Sequence, residues 1–137
     1  MDKDFTKNLV FLGMPFDENM QNTRKAIREV VEELGMDLYV ADEEVTADDI
    51  SKEIKEKIEN AEFIIFDLTG ANPNVFYELG YTEGAGNEGE DLFLIAKKES
   101  KIPFNISTRR IHFYEDAYDL REILKDKFVK LIERSRK

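Results

Sequence analysis

The sequence predicts an α/β fold: a three-layer sandwich built on a five-stranded parallel sheet. Three observations predict it. Short apolar runs alternate with segments of helical periodicity from end to end, as in a chain of strand–helix–strand units. The central run, Glu62-Phe-Ile-Ile-Phe-Asp67, is apolar at successive positions, so both its faces must be covered. Finally, the 137 residues contain no Ser/Gly/Pro linker and no internal repeat, which makes residues 1–137 a single domain.

Each element has a local reason. Asn8-Leu-Val-Phe-Leu-Gly13 is a short apolar run stopped by Gly and then Pro15, and reads as a buried strand. From about Glu18 to Leu34, Ile27, Val30, Val31 and Leu34 fall at helical spacing, with Gly35 as the stop. Met36 to Ala41 is the second strand. Thr46 or Asp48 can cap a second helix, in which Ile50, Ile54 and Ile58 recur every four residues on one face. After the third strand, Asn72-Pro73 opens a helix: Asn is a good cap and Pro suits the first helical position. That helix runs out among Gly84, Gly86 and Gly89. Asp91 to Ala96 and Arg110 to Tyr114 are the last two strands, joined by a segment too irregular for a full helix. A final helix from about Tyr118 to Arg134 puts Leu120, Ile123, Leu124, Phe128, Leu131 and Ile132 on one face. Five strands at this length fit the flavodoxin-like order 2-1-3-4-5.

Composition narrows the function. The chain has 20 basic and 30 acidic side chains, one His, no Cys and no Trp, for a net charge of −10. Nucleic acid is disfavoured as a partner, because phosphate neutralisation needs a basic face. Without Cys there are no disulfides, thiolate zinc sites or cysteine nucleophiles, and a reducing cytoplasm suits such a chain. No apolar run approaches the length of a membrane span, and the charged start, Met1-Asp-Lys-Asp-Phe, does not read as a signal peptide. Charge is uneven: Arg121 to Lys137 holds seven basic and three acidic residues, a net +4, leaving −14 elsewhere. A solvated last helix, its cations near the C-terminal dipole, accounts for this; an anion-binding tail is the sharper reading.

In parallel sheets of this order, ligands bind beyond the carboxyl ends of the strands, at the switch point between the first and third. That rule selects the loop at Gly13–Asp17 and the stretch from Asp67 to Tyr77. The second reads Asp67-Leu-Thr-Gly-Ala-Asn-Pro-Asn-Val-Phe-Tyr-Glu-Leu-Gly80. Asp67 closes a buried strand, and Glu78 follows about one and a half turns into the helix among Val, Phe, Tyr and Leu. Loss of hydration favours the protonated form of such a carboxyl while the helix N-terminus opposes it, so it could be a nucleophile or a general acid. Two carboxylates around a sugar are what glycosidic cleavage uses. A turn-capping Asp67 with Glu78 facing solvent accounts for the same residues. Amides near Asn72 and Asn74 form an anion or hydroxyl site. In the first loop, Gly13 would let a ligand approach the backbone and Phe16 could stack on a base, or else pack into the core. Asp42, in Ala41-Asp-Glu-Glu44, could bind ribose hydroxyls or be merely solvated. Arg109 and Arg110 could bridge to an acidic ligand or make surface ion pairs, and His112 reads as a packed core residue rather than a metal ligand. The chain contains no Gly-x-Ser-x-Gly elbow and no phosphate loop of the Walker type. A response-regulator receiver is disfavoured too, since the first strand ends in Gly-Met-Pro rather than acidic metal ligands.

The run from Asp67 to Gly80 resembles the signature of the nucleoside 2-deoxyribosyltransferase-like, TIR-like proteins. Gly-Met-Pro-Phe-Asp (13–17), Ala-Asp-Glu (41–43) and Pro-Phe-Asn-Ile (103–106) match the same pattern, so the resemblance spans essentially the whole chain. It implies that Glu78 attacks the anomeric carbon of a nucleoside, nucleotide or NAD-like ligand. Asp67 would then orient Glu78 or bind the ribose, with Gly13, Met14, Phe16, Asp42, Asn72, Asn74 and Tyr77 as binding residues. Related nucleotide N-glycosidases carry a Ser six residues before the nucleophile; Asn72 stands there. The transferases and glycosidases also carry an Asp on the helix before the third strand, where a gapless match places Ile54, with Glu53 or Asp49 nearby. The resemblance implies no cofactor and no metal, a homo-oligomer, and either N-glycosidic cleavage or transfer or a non-catalytic nucleotide-binding module. A body of −14 would have to hold phosphate through local amides or Arg109 and Arg110, so charge alone favours an uncharged nucleoside.

Overall fold

The computed structural model describes residues 5–41, 52–85, 91–103 and 109–137. Its strands are β1 (Thr6–Gly13), β2 (Asp37–Val40), β3 (Ala61–Asp67), β4 (Leu92–Lys97) and β5 (Ile111–Tyr114). Its helices are α1 (Gln21–Glu33), α2 (Lys52–Asn60), α3 (Pro73–Gly84) and a C-terminal helix. The last runs from Ala117–Ile123 through a π-helical stretch, Leu124–Phe128, into Val129–Ser135. All four strand pairings are parallel and the order is β2-β1-β3-β4-β5. This is the predicted sheet.

Strand alternation divides the core into two layers. Val10, Leu12, Phe63, Ile65, Phe93 and Ile95 point to one face and pack with α1 and the C-terminal helix through Ile27, Val31, Leu124 and Phe128. Phe11, Ile64, Phe66, Leu94 and Ala96 point to the other, against Ile54 and Ile58 of α2 and Val75 and Leu79 of α3. Each buried Val, Leu, Ile or Phe among them contributes about 1.5–3 kcal/mol. All seven residues of β3 are buried, as its unbroken apolar run requires.

Element ends differ from the sequence reading for identifiable reasons. β1 begins at Thr6 and bends at Asn8, which has φ 69° and whose N–H donates to Glu62 Oε1 at 2.8 Å. Asn tolerates this left-handed conformation better than most residues. The C-terminal helix starts at Ala117 because the Asp116 side chain accepts from Asp119 N. Its π-helical stretch has a packing cause. Leu120, Leu124 and Phe128 are all buried at a spacing of four, which overshoots an α-helical turn of about 3.6 residues. The wider i→i+5 turn keeps them on one line. Thr46, Asp48, Asp49, Gly86, Gly89, Phe104 and Asn105 lie outside the described residues.

Candidate functional site

Glu78 is placed by the helix that carries it. Val75, Glu78, Leu79 and Thr82 are the buried residues of α3, an i, i+3, i+4, i+7 stripe. The carboxylate therefore sits on the inward face and is 4% exposed, which removes the solvent-facing alternative. The direction of α3 is set at its start. Asn72 caps it, with its Oδ1 accepting from Asn74 N at 2.9 Å and Val75 N at 3.3 Å, and Pro73 follows in the first turn. Glu78 then reaches the end of β1: a Cβ placed on Gly13 would stand 2.9 Å from Glu78 Oε1 and 2.5 Å from the Phe66 ring. Gly13 pairs with Phe66 of β3. The carboxylate is thus packed against the main chain at the switch point between β1 and β3, and only glycine leaves room for it there.

Asp67 lies in the same region with a different surrounding. It is fully buried, and its oxygens are engaged. Oδ1 accepts from Thr69 N at 2.9 Å and Thr69 Oγ1 at 2.5 Å, and Oδ2 accepts from the Tyr114 hydroxyl at 2.5 Å. Thr69 Oγ1 in turn accepts from Lys97 N at 2.9 Å. The carboxyl ends of β3, β4 and β5 are tied together by this network. Burial raises the Asp67 pKa, while the bonds from Thr69 and Tyr114 and the charge of Lys97 oppose it. Burial and the nearby Asp67 charge push the Tyr114 phenol far up, so it remains a donor. Beyond Asp67 the chain turns through Gly70 and Ala71, both at positive φ (75° and 50°). The left-handed Ala71 holds local strain between the network and α3.

The remaining sequence-predicted residues differ in their surroundings. Phe16 is 48% exposed and the Arg24 guanidinium carbon stands 4.5 Å from its ring centroid; Tyr77 is also exposed. Met14 is fully buried within the α1-side core, which leaves its main chain as the part able to line the crevice. Asp42 lies outside the described residues. The α3 amides expected to form an open anion site are instead occupied: Asn74 N and Val75 N both donate to Asn72 Oδ1. Arg109 pairs with Glu83. His112 stacks on Phe93 at 4.5 Å, its pKa lowered by burial and by the charges of Arg110 and Lys127. Ile54 is buried in the α2-side core, so no acid stands at that position, and the neighbouring Glu53 is exposed.

Sequence reasoning missed Thr69, Tyr114 and Arg24. Tyr114 closes the last strand, and its position at a carboxyl end was the available signal. Arg24 left a fainter trace: the residues three and four away on its helix are Met20, Gln21, Ile27 and Arg28, none of them a carboxylate. Among the described residues no three His, Cys, Asp or Glu side chains gather as a metal ion would need. Nor is any helix there long and apolar enough to cross a membrane.

No family model matches the chain, and no curated protein does. Solved structures do. A single-site mutant of a flavo di-iron protein from Thermotoga maritima matches with a TM-score of 0.62 and 15% identity, over 94% of this chain and 37% of its own. Together with the sheet order, this decides the architecture. The fold is flavodoxin-like. The CMP N-glycosidase BcmB of Clostridium botulinum matches with a TM-score of 0.56 and 17% identity, over 85% of this chain and 97% of that one. At these identities the likeness is one of fold. The flavodoxin-like sheet delivers Glu78 from the α3 layer and Phe16 and Arg24 from the α1 side to its carboxyl edge.

Proposed function

We propose that the chain cleaves the N-glycosidic bond of a nucleotide or nucleoside, with Glu78 meeting the anomeric carbon. The observation that carries this reading is the place of Glu78: a carboxylate on the buried stripe of α3, packed against Gly13 at the switch point. The likeness in fold to a CMP N-glycosidase supports it. A Glu78 oxygen attacks the sugar carbon as its bond to the base nitrogen breaks, and the bonding pair leaves with the base. The base nitrogen takes a proton from a water molecule, and the resulting hydroxide opens the glycosyl ester. One water is consumed, and sugar and free base depart. Asp67, with both oxygens already accepting hydrogen bonds, serves as a positioning residue that holds the loop leading to α3. Phe16 and Tyr77 supply exposed rings at the mouth of the crevice, and the Asn72 side-chain amide and the Gly13 main chain line it.

Glu78→Gln is expected to abolish base release from CMP while leaving ligand affinity largely intact, because the two side chains share shape but only one is a nucleophile. Chromatography of free base over a long incubation checks this, and unchanged release in the variant would sink the mechanism. A second reading, binding without turnover, has one observation behind it: apolar Ile54 is buried at the position where the resemblance calls for an acid beside the leaving base. Steady, Glu78-dependent release rules that reading out.

A further inference from the structure

The guanidinium of Arg24 is built for an anion. Its Nε and Nη2 are both buried and have no hydrogen-bond partner among the described residues. Buried donors are nearly always satisfied, so two orphans on one group call for a partner. These two atoms form one edge of the planar fork, the edge whose parallel N–H bonds match two oxygens of a phosphate or carboxylate. Four of the other six arginines are already committed: Arg28 to Glu32, Arg109 to Glu83, Arg121 to Glu29 and Arg136 to Glu62. Arg24 instead lies over the Phe16 ring, its guanidinium carbon 4.5 Å from the centroid, a cation–π contact that holds the group without using its N–H donors.

The position is as informative as the missing partner. Phe16 stands three residues beyond Gly13, the residue against which Glu78 packs. Thr23, next to Arg24, is buried, and its hydroxyl is near enough to influence Tyr114, the donor to Asp67. Arg24 therefore sits at the carboxyl edge of the sheet, in the layer opposite to Glu78. The α3 amides that could have taken an anion are capped by Asn72, which leaves Arg24 as a cation at this edge with donors to spare.

We infer that Arg24 binds the phosphate of a nucleoside monophosphate through its Nε/Nη2 edge, which makes a nucleotide, rather than a free nucleoside, the ligand. The inference rests on the glycosidase reading for the identity of the ligand, and it replaces the preference for an uncharged nucleoside that net charge alone implied. Phe16, half exposed, is the side chain able to move as the phosphate enters.

Titration calorimetry with ribose 5-phosphate and with ribose tests it without requiring turnover. Wild type is expected to bind the phosphorylated sugar roughly ten- to a hundredfold more tightly, the range of a charge-assisted pair. Arg24→Gln should bring the two affinities together, and Arg24→Lys should keep part of the preference, as a point charge without the fork. Loss of the preference in Arg24→Gln with partial retention in Arg24→Lys supports the assignment. A wild-type protein with no preference, or an Arg24→Gln variant that keeps it, overturns it. Base release from CMP by wild type is measured alongside. If no base appears while the preference behaves as described, the Glu78 mechanism fails and the Arg24 assignment holds. If base appears and Arg24→Gln keeps the preference, the reverse is true.

Discussion

At the scale of single residues, Gly13 and Glu78 depend on each other. The glycine has no special backbone angle to explain it; what excludes a side chain is the Phe66 ring 2.5 Å, and the Glu78 carboxylate 2.9 Å, from where a Cβ would lie. Phe66 is fully buried and cannot swing away. Gly13→Ala is therefore expected to cost about 1–3 kcal/mol, the usual penalty of overpacking, and to push Glu78 from its place. A urea melt measures the first, and a fall in base release beyond the fraction unfolded measures the second. A variant as stable and as active as wild type would contradict the packing. Glu78 itself was half legible. Val75, Leu79 and Thr82 mark an inward stripe on which position 78 falls, but a charged residue on such a stripe reads from sequence as an exception until its neighbours are known.

At the scale of elements, the carboxyl ends of three strands are clasped by one buried network, and its charge state has a consequence for pH. Burial holds the Asp67 pKa above its ordinary 3.8, so the folded state binds this proton more tightly than the unfolded state does. The stability it contributes is full below 3.8 and is lost as pH rises through the folded value. Asparagine does not titrate, so Asp67→Asn should gain on wild type across that window as pH rises. Urea midpoints measured in a pH series would show it, and a difference independent of pH would exclude it. The start of α3 was readable because Asn-Pro carries its own capping chemistry. The π-helical stretch was only partly readable: the spacing of four at Leu120, Leu124 and Phe128 stands in the sequence, but the place Phe128 takes, edge-on to Phe63 and Phe93, does not.

At the scale of the whole molecule, the basic C-terminal segment proves to be stitched inward. Arg136 donates to Glu62 Oε1 at 2.9 Å and to Asn8 Oδ1 at 2.7 Å, joining the end of the chain to β1 and β3. Glu62 is 6% exposed, so removing its partner strands a buried carboxylate. Arg136→Ala should cost about 1–3 kcal/mol, less than a fully buried pair because Arg136 is partly in water. Glu62→Gln should recover part of the loss in the double variant, since an amide needs no counter-charge. Independent, additive effects of the two substitutions would mean the pair contributes nothing. Arg121 with Glu29 and Lys130 with Asp126 account for more of the local positive charge, and so the solvated-helix reading needs the addition of these ion pairs.

The succession of strands and helices, and a parallel sheet covered on both faces, were determined by the sequence alone. They follow from hydrophobic period and turn chemistry, which are local; the order 2-1-3-4-5 came from the number of strands and their fit to a known arrangement. The tertiary structure decided what each polar side chain does there, because that depends on partners far away in the chain. It committed Asp67 to Thr69 and Tyr114 and used the α3 amides to complete the Asn72 cap. It paired Arg109 with Glu83 and left Arg24 over the Phe16 ring, one edge of its fork unbonded among the described residues.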